Sequence, residues 1–208
     1  MNRAAMTPPP GKKEFYPKDA VLVFLAFALI SAAVIFALVV YDVLTLQDLL
    51  SFENPLQLAI YVVLPTISLL LFGIILTLLT PASYIDETNK SYQNYSLPAI
   101  LAFTFAGALF EELLFRGIIQ NVLTLYLPNP WIAIAITTVL FVGMHVQYYS
   151  KPLMLLNITI PSLVFGWVYV QTHNLLVPIL VHFLMNLGIT LLFKYKVIQM
   201  RTPLCNGK

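Results

Sequence analysis

Charged residues are scarce in this sequence. They make up 10% of its 208 residues, whereas 60% are hydrophobic and the mean hydropathy is +0.86. A typical soluble domain carries about 25% charged residues. The composition therefore excludes a water-soluble globular domain and predicts a membrane protein with several spans. The net charge of +2 gives no indication of a nucleic-acid partner.

Cysteine is almost absent. The single residue, Cys205, excludes a framework of internal disulfides. Cys205 is fourth from the end, as in a prenylation motif, but Asn206 and Gly207 are not aliphatic. We interpret this spacing as a coincidence.

Long apolar runs account for most of the chain, and each is close to the roughly 20 residues that a membrane-spanning helix needs. The first could be taken for a signal peptide, but it is long enough to span and has no small-residue cleavage site, so we expect an uncleaved helix. The fifth is the least regular, because Asn157, Thr159 and Pro161 interrupt it. The six runs are residues 20–41, 55–79, 97–125, 131–149, 152–171 and 175–193.

Positive charge follows an alternating pattern along the chain. Apart from Arg116, ten of the eleven lysines and arginines lie in the head, in the loops that hold Lys90 and Lys151, and in the tail. By the positive-inside rule these segments are cytoplasmic, so both termini are cytoplasmic and the number of spans is even. We expect an integral, multi-pass protein of a bacterial cell membrane.

The predicted fold is all-α and polytopic, with about six transmembrane helices. The division that we predict is a cytoplasmic tail (1–19), two accessory transmembrane helices with a polar loop (20–96), four further helices (97–193) and a second cytoplasmic tail (194–208).

Three ionisable residues, Glu111, Glu112 and Arg116, interrupt the third apolar run. A charged side chain near the bilayer centre costs about 3 kcal/mol on insertion scales, so such residues usually face the protein interior and have a function there. At 100° per residue, Glu112 and Arg116 share one helix face, whereas Glu111 points away from Arg116. This pattern predicts one carboxylate paired with the arginine and a second that is free to transfer a proton.

Other polar side chains lie deep in two further runs. The fourth run places Phe141 and His145 four residues apart, and the sixth does the same with His182 and Asn186, so we expect each pair to share a helix face. We expect these residues to form one site with the glutamates. The depths of Glu111 and His145 in the membrane agree less well with a shared site. Glu111 lies about 21 Å from the cytoplasmic start of its run, whereas His145 lies about four residues from the cytoplasmic end of its own run. We attribute this difference to an interfacial position of residues 97–103.

At these residues the sequence resembles the CPBP family of intramembrane proteases, also called the CAAX protease and bacteriocin-processing or Abi family. Three motifs match in order over about residues 97–193, which the resemblance implies to be a four-helix catalytic core. They are Glu111-Glu112-x-x-x-Arg116 with Gly117 following, Phe141-x-x-x-His145, and His182-x-x-x-Asn186.

The resemblance implies peptide-bond hydrolysis within the membrane. By that resemblance, Glu111 and His145 position and deprotonate a water, His182 and Asn186 stabilise the oxyanion, and Glu112 with Arg116 is a supporting pair. The expected partners are the lipid bilayer and a membrane-embedded or lipidated peptide or protein, and no cofactor is expected.

Three alternatives remain open. Glu111, His145 and His182 could bind zinc as a three-ligand catalytic site, although the sequence has no His-Glu-x-x-His motif. A proton-coupled transporter could also use buried glutamate and histidine, but the paired broken helices of that class are not visible. A non-enzymatic factor for self-immunity to a bacteriocin is the third.

Overall fold

The computed structural model describes residues 17–80 and 95–198. These residues form helices, and the one β feature among them is an isolated antiparallel bridge between Leu50 and Asn174. The prediction of an all-α fold is confirmed. Cys205, most of both predicted tails and most of the polar loop lie outside the described residues.

The long helices begin where the sequence provides proline or asparagine at their first turns. Asn54 and Asn129 cap the helices that follow them by accepting a hydrogen bond from a main-chain N–H, and proline follows directly in both cases. In order, the elements are α1 (Pro17–Val40), α2 (Leu46–Leu49), α3 (Pro55–Leu79), α4 (Leu97–Glu112), a π-helical segment (Leu113–Gln120), α5 (Asn121–Tyr126), α6 (Pro130–Gly143), a 3₁₀ turn (Val146–Tyr148), α7 (Pro152–Thr172) and α8 (Leu176–Lys194).

Five stretches are long and apolar enough to cross a membrane, which fits a multi-pass membrane protein. They are Lys18–Val40, Pro55–Leu79, Leu97–Tyr126, Pro152–Thr172 and Leu176–Lys194. The fourth predicted span contains α6, which has 14 residues and is therefore about 21 Å long, less than the roughly 30 Å of a hydrocarbon core. The fifth run, predicted to be the least regular, is a continuous helix with Pro161 inside it. A six-span topology with cytoplasmic termini stays a prediction.

The long helices alternate in direction. At one end of the bundle, Lys194 Nζ at the end of α8 donates a hydrogen bond to the carbonyl of Tyr95, just before α4. At the other end, the chain before α3 pairs with the turn before α8, where the Leu175 N–H donates to the Leu49 carbonyl. We call the first of these ends, which carries Lys151 and Lys194, the basic face.

The two N-terminal spans pack directly on the predicted core. Helix α1 contacts α4 and the π-helical segment, and α3 contacts α7 and α8. Phe24 and Phe27 of α1 pack against aromatic rings of α4 in tilted arrangements. The division of the chain into accessory helices and a core stays a prediction, and both N-terminal helices contribute to the walls around the site described next.

Candidate active site

One cavity of about 420 Å³ lies between the helices in the half of the bundle toward the basic face. Its walls include Glu111 on α4, His145 after α6, and both His182 and Asn186 on α8. The structure therefore brings together the four residues to which the resemblance assigns catalytic roles, out of the six predicted to share a site. Side chains from α1 and α3, such as Phe24 and Leu69, complete the walls.

The two adjacent glutamates have different surroundings. The Glu111 side chain retains 22% exposure and lines the cavity, whereas that of Glu112 is completely buried. Oε1 of Glu112 lies 3.1 Å from Nη1 of the buried Arg116. The predicted separation into one arginine-paired carboxylate and one cavity-facing carboxylate is thus present.

Arg116 is held from several sides. Its Nη2 donates to the main-chain carbonyl of Ser162 at 2.7 Å and to Ser162 Oγ at 2.9 Å. The guanidinium also lies over two aromatic rings, 5.6 Å from the centroid of Phe141 and 5.4 Å from that of Phe165. Such contacts stabilise a cation away from water. Sequence reasoning did not identify the role of Ser162, because a serine in an apolar run has no distinguishing pattern.

His182 links the ion pair to the cavity. Its Nδ1 lies 2.7 Å from the Glu112 Oε1 that also accepts from Arg116, and its Nε2 lies 3.7 Å from Glu111 Oε2. Because a carboxylate oxygen can only accept, Nδ1 carries the proton. The imidazole also stacks on Phe165 at 4.7 Å between ring centroids. Glu112 therefore orients His182 as well as Arg116, a contact that the sequence did not predict.

The position of His145 differs from the prediction of a shared helix face. Helix α6 ends at Gly143, and His145 lies in the turn that precedes the 3₁₀ segment, so the assignment of His145 to a helix is wrong. The side chain still lies beside Phe141, because its Nδ1 donates to the Phe141 carbonyl at 2.8 Å and the two ring centroids are 4.7 Å apart. The neutral imidazole then has Nε2 as its free acceptor.

The end of α6 determines how His145 reaches the cavity. The helix ends at Gly143, and the turn after it brings His145 to the cavity that Glu111 also lines. Residues 97–103 belong to one helix that is continuous with Glu111. Their interfacial position stays a prediction.

The helix turn widens directly after Glu112, where the sequence predicted a regular α-helix. Residues Leu113–Gln120 are π-helical, a rare conformation that is frequent at functional sites. Arg116 and Gln120 both face α7, and Gln120 Nε2 donates to the Gly166 carbonyl at 3.0 Å. Asn121 then donates to the Tyr169 hydroxyl at 2.7 Å. Sequence reasoning omitted Gln120 and Asn121 from the polar residues deep in the spans, although both are buried amides within the third apolar run.

A zinc site was the main alternative use of these residues. Among the described residues, no group of three His, Cys, Asp or Glu side chains is close enough to hold a metal ion. Nδ1 of His182 contacts Glu112 and Nδ1 of His145 contacts a carbonyl, so each histidine keeps Nε2 as its remaining ring nitrogen. Metal-binding histidines often have the same arrangement, so a site without a metal stays a prediction.

These features define an all-α, multi-pass membrane protein in which buried ionisable residues from several helices meet at one cavity. Residues 93–188 match the Rce1-like family, described as type II CAAX prenyl endopeptidase Rce1-like. The match covers 96 of the 208 residues and confirms the resemblance to the CPBP/CAAX protease family predicted from the three motifs. It supports, in general terms, a CAAX-type intramembrane protease.

Two bacterial proteins are similar to this chain. The uncharacterized protein YpbD of Bacillus subtilis (strain 168) is 29% identical over 163 residues, which cover 77% of this chain and 79% of YpbD. An uncharacterized 24.3 kDa protein of Escherichia coli is 35% identical over 99 residues, 45% of each chain. No solved structure matches this chain.

Proposed function

We propose that this protein is an endopeptidase that hydrolyses a peptide bond of a membrane-associated substrate with a water activated by Glu111. The observation that carries the proposal is the meeting of Glu111, His145, His182 and Asn186 at one cavity. These residues supply the acceptors and donors that acyl transfer to water requires.

Glu111 is the proposed general base. It is the carboxylate that reaches the cavity, whereas Glu112 is occupied by Arg116 and His182. His145 assists by accepting a hydrogen bond from the attacking water, because its Nδ1 proton is on the Phe141 carbonyl and Nε2 is the free acceptor. Two acceptors then orient the water and leave its lone pair toward the substrate carbonyl carbon.

His182 and Asn186 are the proposed oxyanion donors. They lie four residues apart on α8, so their side chains project from one face of that helix. Because Nδ1 of His182 already donates to Glu112, His182 can donate from Nε2 only when both nitrogens carry protons. The buried carboxylate of Glu112 stabilises that imidazolium, which gives Glu112 and Arg116 a positioning role.

The proposed reaction is balanced without a cofactor. The water oxygen bonds to the carbonyl carbon while Glu111 takes its proton, and the carbonyl oxygen becomes an oxyanion held by His182 and Asn186. The carbon–nitrogen bond then breaks, and Glu111 returns the proton to the leaving nitrogen. The products are a new carboxyl terminus and a new amino terminus.

The substrate class follows from the position of the cavity between apolar helices. Its walls include hydrophobic residues of four spans, such as Phe24, Leu69, Ile158 and Met185. An apolar wall suits a transmembrane or lipidated peptide, and the description of the matched family also contains a prenyl endopeptidase.

Comparative membrane peptidomics tests the proposal. Cells would express the wild-type chain, Glu111→Gln, or the matched control Glu53→Gln, whose glutamate is exposed and outside the cavity. We expect peptides with new termini in membrane segments in the wild-type and Glu53→Gln cells and their loss in Glu111→Gln cells. Identical sets of termini in all three would contradict protease activity and favour a transporter or an immunity factor.

A further inference from the structure

The wall that α7 contributes to the cavity contains one polar side chain. The α7 residues that line the cavity recur at helical spacing and so share one face. They are Met154, Asn157, Ile158, Pro161 and Phe165. Asn157 is the amide among these apolar neighbours, and the catalytic roles proposed above do not involve it.

The Asn157 side chain has unused hydrogen-bonding capacity. It is partly buried against the cavity, and within the described part of the chain it makes no hydrogen bond. Thr159, two residues away, differs in this respect, because its hydroxyl donates to the Leu155 carbonyl at 2.7 Å. An amide offers both donors and an acceptor, and an amide without partners in an apolar wall is unfavourable.

Pro161 adds a second polar group at the same place. A proline has no N–H, so the carbonyl four residues earlier in a helix loses its usual donor. In α7 that carbonyl belongs to Asn157, and both Asn157 and Pro161 line the cavity. The wall therefore presents an amide side chain next to a main-chain carbonyl without its i+4 partner.

The distance of Asn157 from the proposed oxyanion donors can be read along the helices. Phe165 stacks on His182, which sets the two at one level. Asn157 is eight residues from Phe165, or about 12 Å along α7 toward the basic face, whereas Asn186 is about 6 Å from His182 along α8 in the same direction. The oxyanion between His182 and Asn186 is thus about 6 to 12 Å from Asn157 along the helices. An extended chain advances about 3.3 Å per residue, so Asn157 lies about two to four residues from the scissile bond.

We propose that Asn157 binds the main chain of the substrate in an extended conformation, about two to four residues from the cleaved bond. The inference rests on the proposed protease function and adds a binding residue to it. A membrane segment satisfies its backbone as a helix, and a protease has to unwind that helix to reach a peptide bond. The amide and the free carbonyl at Asn157 replace hydrogen bonds that the unwound residue loses.

The test uses the full chain purified in detergent and a fluorescence-quenched library of ten-residue apolar peptides. The probe is the member that the wild-type protein cleaves best and Glu111→Gln does not cleave. The variant Asn157→Leu removes the amide at similar size, and Thr159→Val is the matched control on the same helix. We expect Asn157→Leu to raise KM about 5- to 10-fold with kcat nearly unchanged, as for loss of a neutral hydrogen bond used equally in ground and transition states.

An ester scan separates binding from a structural role. Replacing one peptide link of the probe by an ester removes an N–H and weakens the adjoining carbonyl as an acceptor. In the wild-type and Thr159→Val proteins, we expect one ester, about two to four residues from the cleaved bond, to raise KM. We expect Asn157→Leu to lose that position-specific increase in KM. The proposal for Asn157 would be overturned if Asn157→Leu kept the wild-type dependence of KM on ester position, or if Asn157→Leu and Thr159→Val raised KM equally. Either result would leave the proposed protease function standing. Absence of Glu111-dependent cleavage of every library member would overturn the proposed function together with this inference.

Discussion

Nδ1 of His182 lies 2.7 Å from Oε1 of Glu112, and the same carboxylate oxygen accepts from Arg116 at 3.1 Å. The second glutamate of the Glu-Glu pair thus joins α4, the π-helical segment and α8 through one atom. In the proposed mechanism this carboxylate stabilises a protonated His182, so Glu112 acts on the oxyanion through another residue.

Glu112→Gln tests this positioning role. The amide oxygen can still accept from His182 and Arg116, but the negative charge beside the imidazole is lost. We expect kcat to fall by about 10²-fold with little change in KM, as when an oxyanion donor is lost. Steady-state kinetics on a cleaved apolar peptide would measure this, with Glu53→Gln as the exposed control. A Glu112→Gln protein with wild-type kcat would show that the charge has no part in catalysis.

Arg116→Ala should affect stability as well as activity. Arg116 is fully buried and bonds Glu112 and Ser162, so its removal breaks a buried ion pair and leaves His182 as the remaining partner of Glu112, a change that costs about 3 to 5 kcal/mol. Ser162→Ala is the matched control, because it removes the hydroxyl contact but keeps the carbonyl contact and should cost about 1 kcal/mol. Thermal unfolding in detergent would compare the two. Equal unfolding temperatures would contradict the structural role of the arginine.

Part of this site could be predicted from local sequence, because helical spacing determines which residues share a face. The Glu112–Arg116 pair and the placement of His182 with Asn186 both follow from a separation of four residues within a helix. The orientation of Glu111 away from the ion pair follows from the same periodicity. These features depend only on residues that are close in the chain.

The remaining features depend on tertiary packing. The Glu112–His182 contact joins residues 70 apart in the chain, and no spacing rule predicts it. The end of α6 at Gly143 and the π-helical turn at Arg116 likewise lie inside continuous apolar runs. Hydropathy identifies such a run as a span but does not show where its helix ends or widens.

Asn186→Ala together with chelation separates water activation by Glu111 from zinc chemistry. With Asn186 as an oxyanion donor, the variant should lose about 10² to 10³ in kcat while KM changes little. A chelator should leave the wild-type rate unchanged. Loss of activity in chelator, recovery with stoichiometric zinc and about one zinc per chain would contradict the metal-free account.

The predicted topology can be tested with single cysteines in a Cys205→Ser background. Phe52 and Ser150 are both exposed and lie at opposite ends of the bundle. If the basic face is cytoplasmic, a membrane-impermeant maleimide added outside intact cells should label Phe52→Cys but not Ser150→Cys. Labelling of Ser150→Cys from outside would reverse the orientation and place the cavity mouth on the outer side.

The rate of purified Glu111→Gln tests the central claim most directly. The substitution keeps the volume of the side chain and removes the base, and Glu111 is not part of the buried ion pair between Glu112 and Arg116. We therefore predict an unfolding temperature close to wild type and a loss of at least about 10²-fold in kcat on an apolar peptide that the wild-type protein cleaves. A correctly folded Glu111→Gln protein that cleaves this peptide at near wild-type rate would contradict the account.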